Sequence, residues 1–168
     1  MDKNLINIAK NIKAFVSDVD GVMTDGSITL DEDGKEYKTF NAKDGQGIVT
    51  LKNAGYVTAI ITARQNGTVQ HRFEKLGVTK IYQGQKDKRQ AFASLLKEFK
   101  LNTKEIAYIG DDLPDICILE QVAIAACPDD AVDEVKKVCN YICKKGGGKG
   151  AVRELCDFIY KYGNFEKK

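Results

Sequence analysis

The chain has 168 residues, of which 43% are hydrophobic and 30% charged, and its formal net charge is +2. A chain of this length can bury the core of one domain, and so small a positive excess does not indicate nucleic-acid binding. The sequence has no apolar stretch long enough to cross a bilayer, and no signal peptide is recognisable in its first 15 residues. We therefore expect a single cytoplasmic domain over residues 1–168, with a flexible tail over about 163–168.

Short apolar runs that are typical of buried strands alternate with amphipathic stretches that are typical of helices. We predict strands over residues 15–18, 58–62, 80–83, 106–110 and 122–126, and a short strand near residue 141. We predict helices over residues 47–54, 67–76, 88–99, 114–121, 131–138 and 151–162. This alternation favours an α/β fold, a Rossmann-like doubly wound parallel sheet with helices on both faces.

Two carboxylates one residue apart follow the first predicted strand, where Asp18 and Asp20 precede Gly21. Like charges this close repel each other, and a divalent cation is the simplest group that would hold them together. A site with oxygen ligands alone favours Mg²⁺. An ordinary acidic turn after a strand would give the same local pattern, so the rest of the chain has to decide between the two interpretations.

A β-hairpin is predicted directly after this loop, as an insertion over about residues 26–41. Residues 27–30 and 36–40 both alternate between apolar and polar side chains, and the turn sequence Asp-Glu-Asp-Gly lies between them. Two exposed strands are marginally stable alone, so we expect this hairpin to pack on something else, such as another subunit.

Further polar residues stand at the ends of the later strands, where ligands gather in a doubly wound sheet. Thr62 ends the second predicted strand, Lys88 begins the helix after the third, and Asp111 and Asp112 follow the fourth, with Asp115 beyond them. Asp111 is expected to complete a Mg²⁺ site with the two aspartates of the first loop. Asp112 or Asp115 would be a further ligand or would orient the ligands.

This set of residues suits phosphoryl transfer, because a phosphomonoester dianion needs positive charge beside an attacking carboxylate. Asp18 would be the nucleophile and form an aspartyl-phosphate. Asp20 would protonate the leaving alkoxide and then deprotonate the hydrolytic water. Thr62 would donate its hydroxyl to a phosphoryl oxygen, and Lys88 would bridge Asp18 and the phosphoryl oxygens.

The motifs DVDGVMTDG, a strand-ending threonine, a helix-starting lysine and GDDLPD, in this order, resemble the haloacid dehalogenase superfamily of Mg²⁺-dependent phosphatases. The hairpin in place of a cap domain, KDGQGI at residues 43–48, GQKDK at 84–88 and GGKGAVRE at 147–154 resemble one subfamily, the 3-deoxy-D-manno-octulosonate 8-phosphate (Kdo 8-phosphate) phosphatases. The resemblance covers roughly residues 13–158. It implies Mg²⁺-dependent hydrolysis of Kdo 8-phosphate to Kdo and inorganic phosphate, a step of Kdo and lipopolysaccharide biosynthesis.

The resemblance also implies a homotetramer whose hairpins assemble into a central barrel, so that a neighbouring subunit covers the active site. Its implied substrate-binding residues are Arg64, Asp44, Lys149 and Arg153, with Lys149 reaching the sugar-acid carboxylate from a flexible Gly-rich segment. Arg64 favours the eight-carbon substrate, because the related nonulosonate 9-phosphate phosphatases tend to carry Glu at that position.

The sequence departs from the pattern of the superfamily at two positions near the site. Ala63 stands where glycine is commoner, and Pro114 is less usual in the GDDxxD motif, although proline is tolerated in a first helical turn. Three alternatives stay open: a phosphatase for another acidic sugar phosphate, a non-catalytic phospho-ligand-binding domain, and a phospho-accepting receiver domain. A receiver domain has its phosphorylated aspartate after a middle strand, whereas here the aspartate pair opens the chain.

Overall fold

The computed structural model describes residues 3–164. Strands and helices alternate over most of this range, and two short 3₁₀ turns lie at Thr103–Glu105 and Leu113–Asp115. The strands are β1 (Ala14–Ser17), β2 (Thr29–Leu30), β3 (Glu36–Tyr37), β4 (Val57–Ile61), β5 (Lys80–Tyr82), β6 (Ile106–Ile109), β7 (Ile124–Cys127) and β8 (Tyr141–Ile142). The α-helices are α1 (Lys3–Ala9), α2 (Ala42–Asn53), α3 (Gly67–Leu76), α4 (Lys88–Phe99), α5 (Ile116–Leu119), α6 (Asp133–Val138) and α7 (Ala151–Tyr162).

Six of the strands form one parallel sheet in the order β5-β4-β1-β6-β7-β8. Strand β1 lies at its centre, where Val16 is in register with Ala59 of β4 on one side and with Tyr108 of β6 on the other. Strands β1, β6 and β7 are buried along their whole length, as expected of strands covered on both faces. The predicted doubly wound α/β fold is therefore confirmed, and β2 and β3 form the separate antiparallel hairpin.

Two hydrophobic clusters cover the two faces of this sheet. Helices α2, α3 and α7 pack on one face, through side chains such as Ile48, Phe73 and Leu155. Helices α4, α5 and α6 pack on the other face, through side chains such as Leu95 and Ile118. The residues that follow the C-terminal ends of β1, β4 and β6 line an open cleft. No helix within residues 3–164 has both the length and the apolar composition that a membrane span needs.

Helix α2 begins five residues earlier than predicted and contains two glycines, Gly45 and Gly47. Asn41 caps the helix, because its side chain accepts a hydrogen bond from the Lys43 amide. Gly47 lies inside α2, where a Cβ would be 3.2 Å from the Cα of Arg153. Gly47 therefore allows α2 and α7 to approach closely, although glycine has a low helix propensity.

Several other predicted boundaries also differ from the structure. The hairpin strands are shorter than predicted, with two residues each, and the strand predicted over 122–126 begins at Ile124. The helix predicted over 114–121 is a 3₁₀ turn followed by α5, because the Asp112 side chain caps a turn that contains Pro114. Helix α1 was not predicted, and the last four residues of the predicted flexible tail, 165–168, lie outside the described residues.

Candidate active site

The C-terminal ends of β1, β4 and β6 surround a cleft of about 290 Å³. Eight of the residues that the sequence analysis singled out line this cleft, and they come from four separate segments of the chain. They are Asp18, Asp20, Thr62, Arg64, Lys88, Asp111, Asp112 and Asp115. The parallel sheet brings them together because strands that run in one direction end at the same edge.

Lys88 is the buried cation of this cleft and contacts two carboxylates. Its Nζ lies 3.0 Å from Oδ1 of Asp18 and 2.6 Å from Oδ1 of Asp115, and its side chain is 2% exposed. Burial disfavours the charged lysine, but the attraction of Asp18 and Asp115 outweighs burial and raises the pKa of Lys88. Lys88 is therefore a fixed positive charge beside the carboxylate that was predicted to attack the substrate.

Two carboxyls of the cleft hold their protons unusually tightly in the metal-free protein. Burial, followed by repulsion from Asp115, raises the pKa of Asp18 to about 7. Burial, followed by repulsion from Asp18 and Asp115, raises the pKa of Asp111 to about 8. The single positive charge of Lys88 does not balance the carboxylates of Asp18, Asp111 and Asp115, so a further cation would be attracted to this site.

A divalent metal ion fits this acidic group. Carboxylate oxygens of Asp18, Asp111 and Asp115 all lie within 4.8 Å of one another. Oδ1 of Asp18 is buried and accepts no hydrogen bond within residues 3–164, although Lys88 Nζ is close to it. An all-oxygen donor set with an unsatisfied carboxylate oxygen is typical of a Mg²⁺ site.

Asp115 differs from the other two members of this group because donors surround it. It accepts hydrogen bonds from Lys88 Nζ at 2.6 Å and from the Tyr108 hydroxyl at 2.5 Å. The amides of Asp111 and Asp112 also donate to it, at 3.1 and 3.3 Å. Asp115 therefore holds the loop after β6 in place and orients Lys88. Tyr108 was missed in the sequence, although a tyrosine within a buried apolar strand indicates a hydroxyl that needs a partner.

The Asp20 carboxylate is paired with cations and is not part of the acidic group formed by Asp18, Asp111 and Asp115. It forms an ion pair with Lys38 and approaches Nε of Arg64 at 3.9 Å. The structure therefore does not bring the Asp20 side chain to the other carboxylates that were predicted to bind metal. Its position at the rim of the cleft is compatible with the predicted acid–base role, because the carboxylate is partly exposed there.

Gly21 allows the loop after β1 to lie directly against Asp111. Its φ is +79°, and a Cβ at this position would overlap the Asp111 carboxylate. Thr62, which is 1% exposed, is held by backbone hydrogen bonds with Tyr82 and Gln85. These contacts place the Thr62 side chain in the lining of the cleft beside Asp18.

Three residues that were predicted to bind substrate do not line this cleft. Asp44 is fully buried, and its carboxylate accepts hydrogen bonds from the amides of Gly150 and Arg153 at the start of α7. Nε of Arg153 donates to Asp157 at 2.7 Å. Lys149 is exposed and lines a separate cavity with residues such as Asn41. Within one chain, Asp44 is thus a helix-capping residue, and the basic side chains lie away from Asp18.

The Gly-rich segment at residues 144–150, which the sequence predicts to be flexible, packs against the loop after β1. The Gly148 amide donates to the Val22 carbonyl at 2.9 Å, and Asn41 donates to the Gly148 carbonyl at 3.1 Å. The Gly147 amide donates to Asp130 at 2.8 Å. Glycine is needed at 147, because a Cβ would overlap the Gly21 carbonyl.

Replacing Gly147 with alanine is expected to displace the loop that carries Asp18. Overpacking of this kind costs about 1–3 kcal/mol of the free energy of unfolding, and we expect turnover to fall with it. The measurement is chemical denaturation together with phosphatase kinetics. Gly67→Ala is the control, because a Cβ at Gly67 meets nothing within 4 Å. Equal stability and turnover in the two variants would show that the segment does not support the loop.

Comparison with known proteins places the chain in a class and then in a family. A family model described as haloacid dehalogenase-like hydrolase matches residues 77–155. The 3-deoxy-D-manno-octulosonate 8-phosphate phosphatase of Yersinia pestis is 41% identical over 156 residues, which are 93% of this chain and 83% of that protein. The corresponding phosphatase of Escherichia coli K12 is 39% identical over the same shares.

Solved structures agree with this result. The phosphatase of Moraxella catarrhalis, solved with a magnesium ion, a phosphate ion and a KDO molecule, has a TM-score of 0.93 and 40% identity, over 97% of this chain and 94% of that one. The cobalt-bound phosphatase of Haemophilus influenzae has a TM-score of 0.89 and 33% identity, over 92% and 91% of the two chains.

The fold and the cleft are those of a haloacid dehalogenase-like hydrolase. Within that class, the chain belongs to the family of the 3-deoxy-D-manno-octulosonate 8-phosphate phosphatases. The resemblance stated from the sequence motifs is therefore confirmed.

Proposed function

We propose that this protein is a Mg²⁺-dependent phosphatase that hydrolyses Kdo 8-phosphate to Kdo and inorganic phosphate through an aspartyl-phosphate on Asp18. The observation that carries this proposal is the buried Asp18–Lys88–Asp115 group at the cleft floor, with Asp111 beside it. The names of the relatives supply the substrate, and the receiver-domain alternative is not favoured by them. The proposal places the protein in Kdo and lipopolysaccharide biosynthesis.

Phosphoryl transfer to Asp18 follows from the positions of the side chains. An Asp18 oxygen attacks phosphorus, and the bond from phosphorus to the sugar oxygen breaks. Lys88, 3.0 Å from Asp18, offsets the negative charge of the incoming phosphoryl group. The Thr62 hydroxyl, in the lining of the cleft, donates a hydrogen bond to a phosphoryl oxygen. Asp20, at the rim, gives its proton to the leaving alkoxide.

Hydrolysis of the aspartyl-phosphate uses the same residues in reverse order. Asp20, now ionised, takes a proton from a water molecule, whose oxygen attacks phosphorus. The bond between phosphorus and the Asp18 oxygen breaks, which releases phosphate and restores the carboxylate. In this step Lys88 again faces the negative charge that returns to Asp18.

Asp18 and Asp111 are the residues we propose to hold Mg²⁺, because Asp115 is already saturated with donors. When bound, the ion would offset the negative charge of the transferred phosphoryl group. Asp112 is exposed and caps the turn after β6, so we assign it to orienting this loop. The chain's own residues set the orientation of the carboxylates before the ion binds.

Magnesium is expected to stabilise the protein more in alkaline than in acidic solution. The pKa values of Asp18 and Asp111, about 7 and about 8, lie above their ordinary value of 3.8. The folded protein therefore holds protons that the unfolded chain has released, and its free energy of unfolding falls as the pH rises from about 4 to about 8. Mg²⁺ replaces these protons, so the rise in Tm on adding Mg²⁺ should be larger at about pH 8.5 than at about pH 6.

Thermal unfolding with EDTA and with excess Mg²⁺ at the two pH values measures this effect. Asp111→Asn should reduce the Mg²⁺-dependent rise in Tm, whereas Asp33→Asn, in the exposed hairpin turn, should leave it unchanged. An equal rise at both pH values, or a larger one in acid, would contradict the assignment of these carboxyls to the metal.

The substrate is tested by measuring phosphate release from a panel of sugar phosphates with Mg²⁺ and with EDTA. Arg64 lines the cleft with an exposed side chain and is suited to a sugar-acid carboxylate. We expect the highest kcat/KM for Kdo 8-phosphate and no turnover in EDTA. Preference for a nonulosonate 9-phosphate would keep the mechanism and change the substrate, whereas release that does not depend on Mg²⁺ would contradict the mechanism.

We propose that the hairpin face mediates assembly with further copies of the chain. Ile28, Leu30 and Tyr37 on the hairpin are each at least half exposed, which is unusual for neighbouring large apolar side chains. The homotetramer and the cytoplasmic location expected from the sequence stay predictions. The single domain over 1–168 stays a prediction as well. Lys149 and Arg153 are proposed to bind substrate only if a neighbouring copy brings them to a cleft.

A further inference from the structure

A lysine at the end of the hairpin has a buried side chain that contacts Asp20 in the loop after β1. Lys38 follows β3, its side chain is 3% exposed, and its Nζ forms ion pairs with Asp20 and, at 2.6 Å, with Glu36. Burial disfavours the charged lysine, but the hydrogen bonds to Asp20 and Glu36 outweigh it and raise the pKa of Lys38. A lysine so deeply buried and so fully paired is unusual in a two-stranded hairpin.

Lys38 belongs to a ring of four alternating charges. Glu36 also accepts a hydrogen bond from Nη1 of Arg64 at 3.0 Å, and Nε of Arg64 lies 3.9 Å from Oδ2 of Asp20. The two oxygens of Asp20 thus face different cations: Lys38 contacts Oδ1, and Arg64 approaches Oδ2 without a hydrogen bond. With Asp20 ionised, the ring is electrically neutral and adds no net charge to the site. When Asp20 carries its proton, Lys38 can still hold Oδ1, which leaves Oδ2 to bear the proton.

The two cations of the ring differ in their access to the cleft. The Arg64 side chain is 46% exposed and lines the cleft, so it is free to turn toward a substrate. Lys38 is buried and, within residues 3–164, does not contribute to the cleft lining. When Arg64 engages a ligand, Lys38 remains the contact that holds Asp20.

We propose that Lys38 is a positioning residue, which holds the Asp20 carboxyl in the direction required for proton transfer to the leaving alkoxide. This inference rests on the proposed function, in which Asp20 is the acid and base. It makes the hairpin part of the catalytic apparatus of its own chain. Glu36 supports the same arrangement by holding Lys38 and Arg64 together.

The test compares leaving groups, because only a poor leaving group needs the proton of Asp20. In Lys38→Met, kcat/KM for Kdo 8-phosphate should fall about 10- to 100-fold, since a misdirected general acid loses part of its contribution. For p-nitrophenyl phosphate, whose leaving group departs without protonation, kcat/KM should change less than about 3-fold. Lys38→Arg keeps the charge and should recover part of the loss with Kdo 8-phosphate.

Lys35→Met is the matched control, because Lys35 is an exposed lysine of the same hairpin. It should behave like the wild type with both substrates, and thermal unfolding should show all variants folded. An equal fall with both substrates, no fall with either, or a rise in KM for Kdo 8-phosphate alone would overturn the positioning role. A wild-type protein that releases no phosphate from either substrate would instead overturn the proposed function.

Discussion

Replacing Asp18 with asparagine is expected to lower kcat by roughly 10⁴-fold or more, because the covalent mechanism loses its nucleophile. The amide of asparagine is a poor nucleophile and cannot form the aspartyl-phosphate. The protein should stay folded, because the fold disfavours the ionised Asp18 carboxylate that the substitution removes. Burial, followed by repulsion from Asp115, raises the pKa of Asp18 to about 7. In EDTA at about pH 8 the variant should be at least as stable as the wild type.

Steady-state kinetics with Kdo 8-phosphate and thermal unfolding of the same samples measure these two effects. Asp33→Asn is the control, because it makes the same chemical change in the exposed hairpin turn and should leave kcat unaltered. A folded Asp18→Asn protein that turns over at a near-normal rate would contradict the covalent mechanism.

Replacing Lys88 with methionine is expected to damage both stability and turnover. Lys88 is the buried partner of Asp18 and Asp115, whose side chains are 10% and 1% exposed. Removing one member of a buried ion pair costs about 3–5 kcal/mol of the free energy of unfolding, because the remaining charges lose their compensation. Turnover should fall at least about 100-fold, because the developing charge loses its nearest fixed cation.

Urea denaturation in EDTA measures the stability change without a contribution from metal binding. Lys80→Met is the control, since Lys80 pairs with Glu98 at 2.8 Å on the surface and its loss should leave the free energy of unfolding near that of the wild type. A Lys88→Met protein as stable as the control would show that the buried group does not depend on this cation.

The residues of the central strands could be predicted well because their signal is local. The apolar runs before Asp18 and Asp111 read as buried strands, and a parallel sheet necessarily brings such strand ends to one edge. The same rule about strand ends predicted that Thr62 and Lys88 would line the cleft. The pattern of strand, helix and strand end therefore gave both the fold class and most of the side chains that line the cleft.

Contacts between distant segments could not be predicted from local patterns. The hairpin was predicted, but only its packing shows that Lys38 turns inward to Asp20. Gly147 appeared to mark a flexible segment, whereas it is glycine because the carbonyl of Gly21 leaves no space for a Cβ. The family resemblance implied that Asp44 binds substrate, yet within one chain it caps α7, more than 100 residues later in the sequence.

Trapping the phosphoenzyme shows whether Asp18 carries the phosphoryl group during turnover. Wild-type protein and Asp20→Asn would be mixed with Kdo 8-phosphate and Mg²⁺, quenched in acid during turnover, and digested for mass spectrometry. We expect a phosphorylated peptide whose modified residue is Asp18. In the wild type this peptide should disappear once the substrate is consumed. Phosphate on any other side chain, or no phosphorylated peptide in either protein while phosphate is being released, would contradict the proposed mechanism.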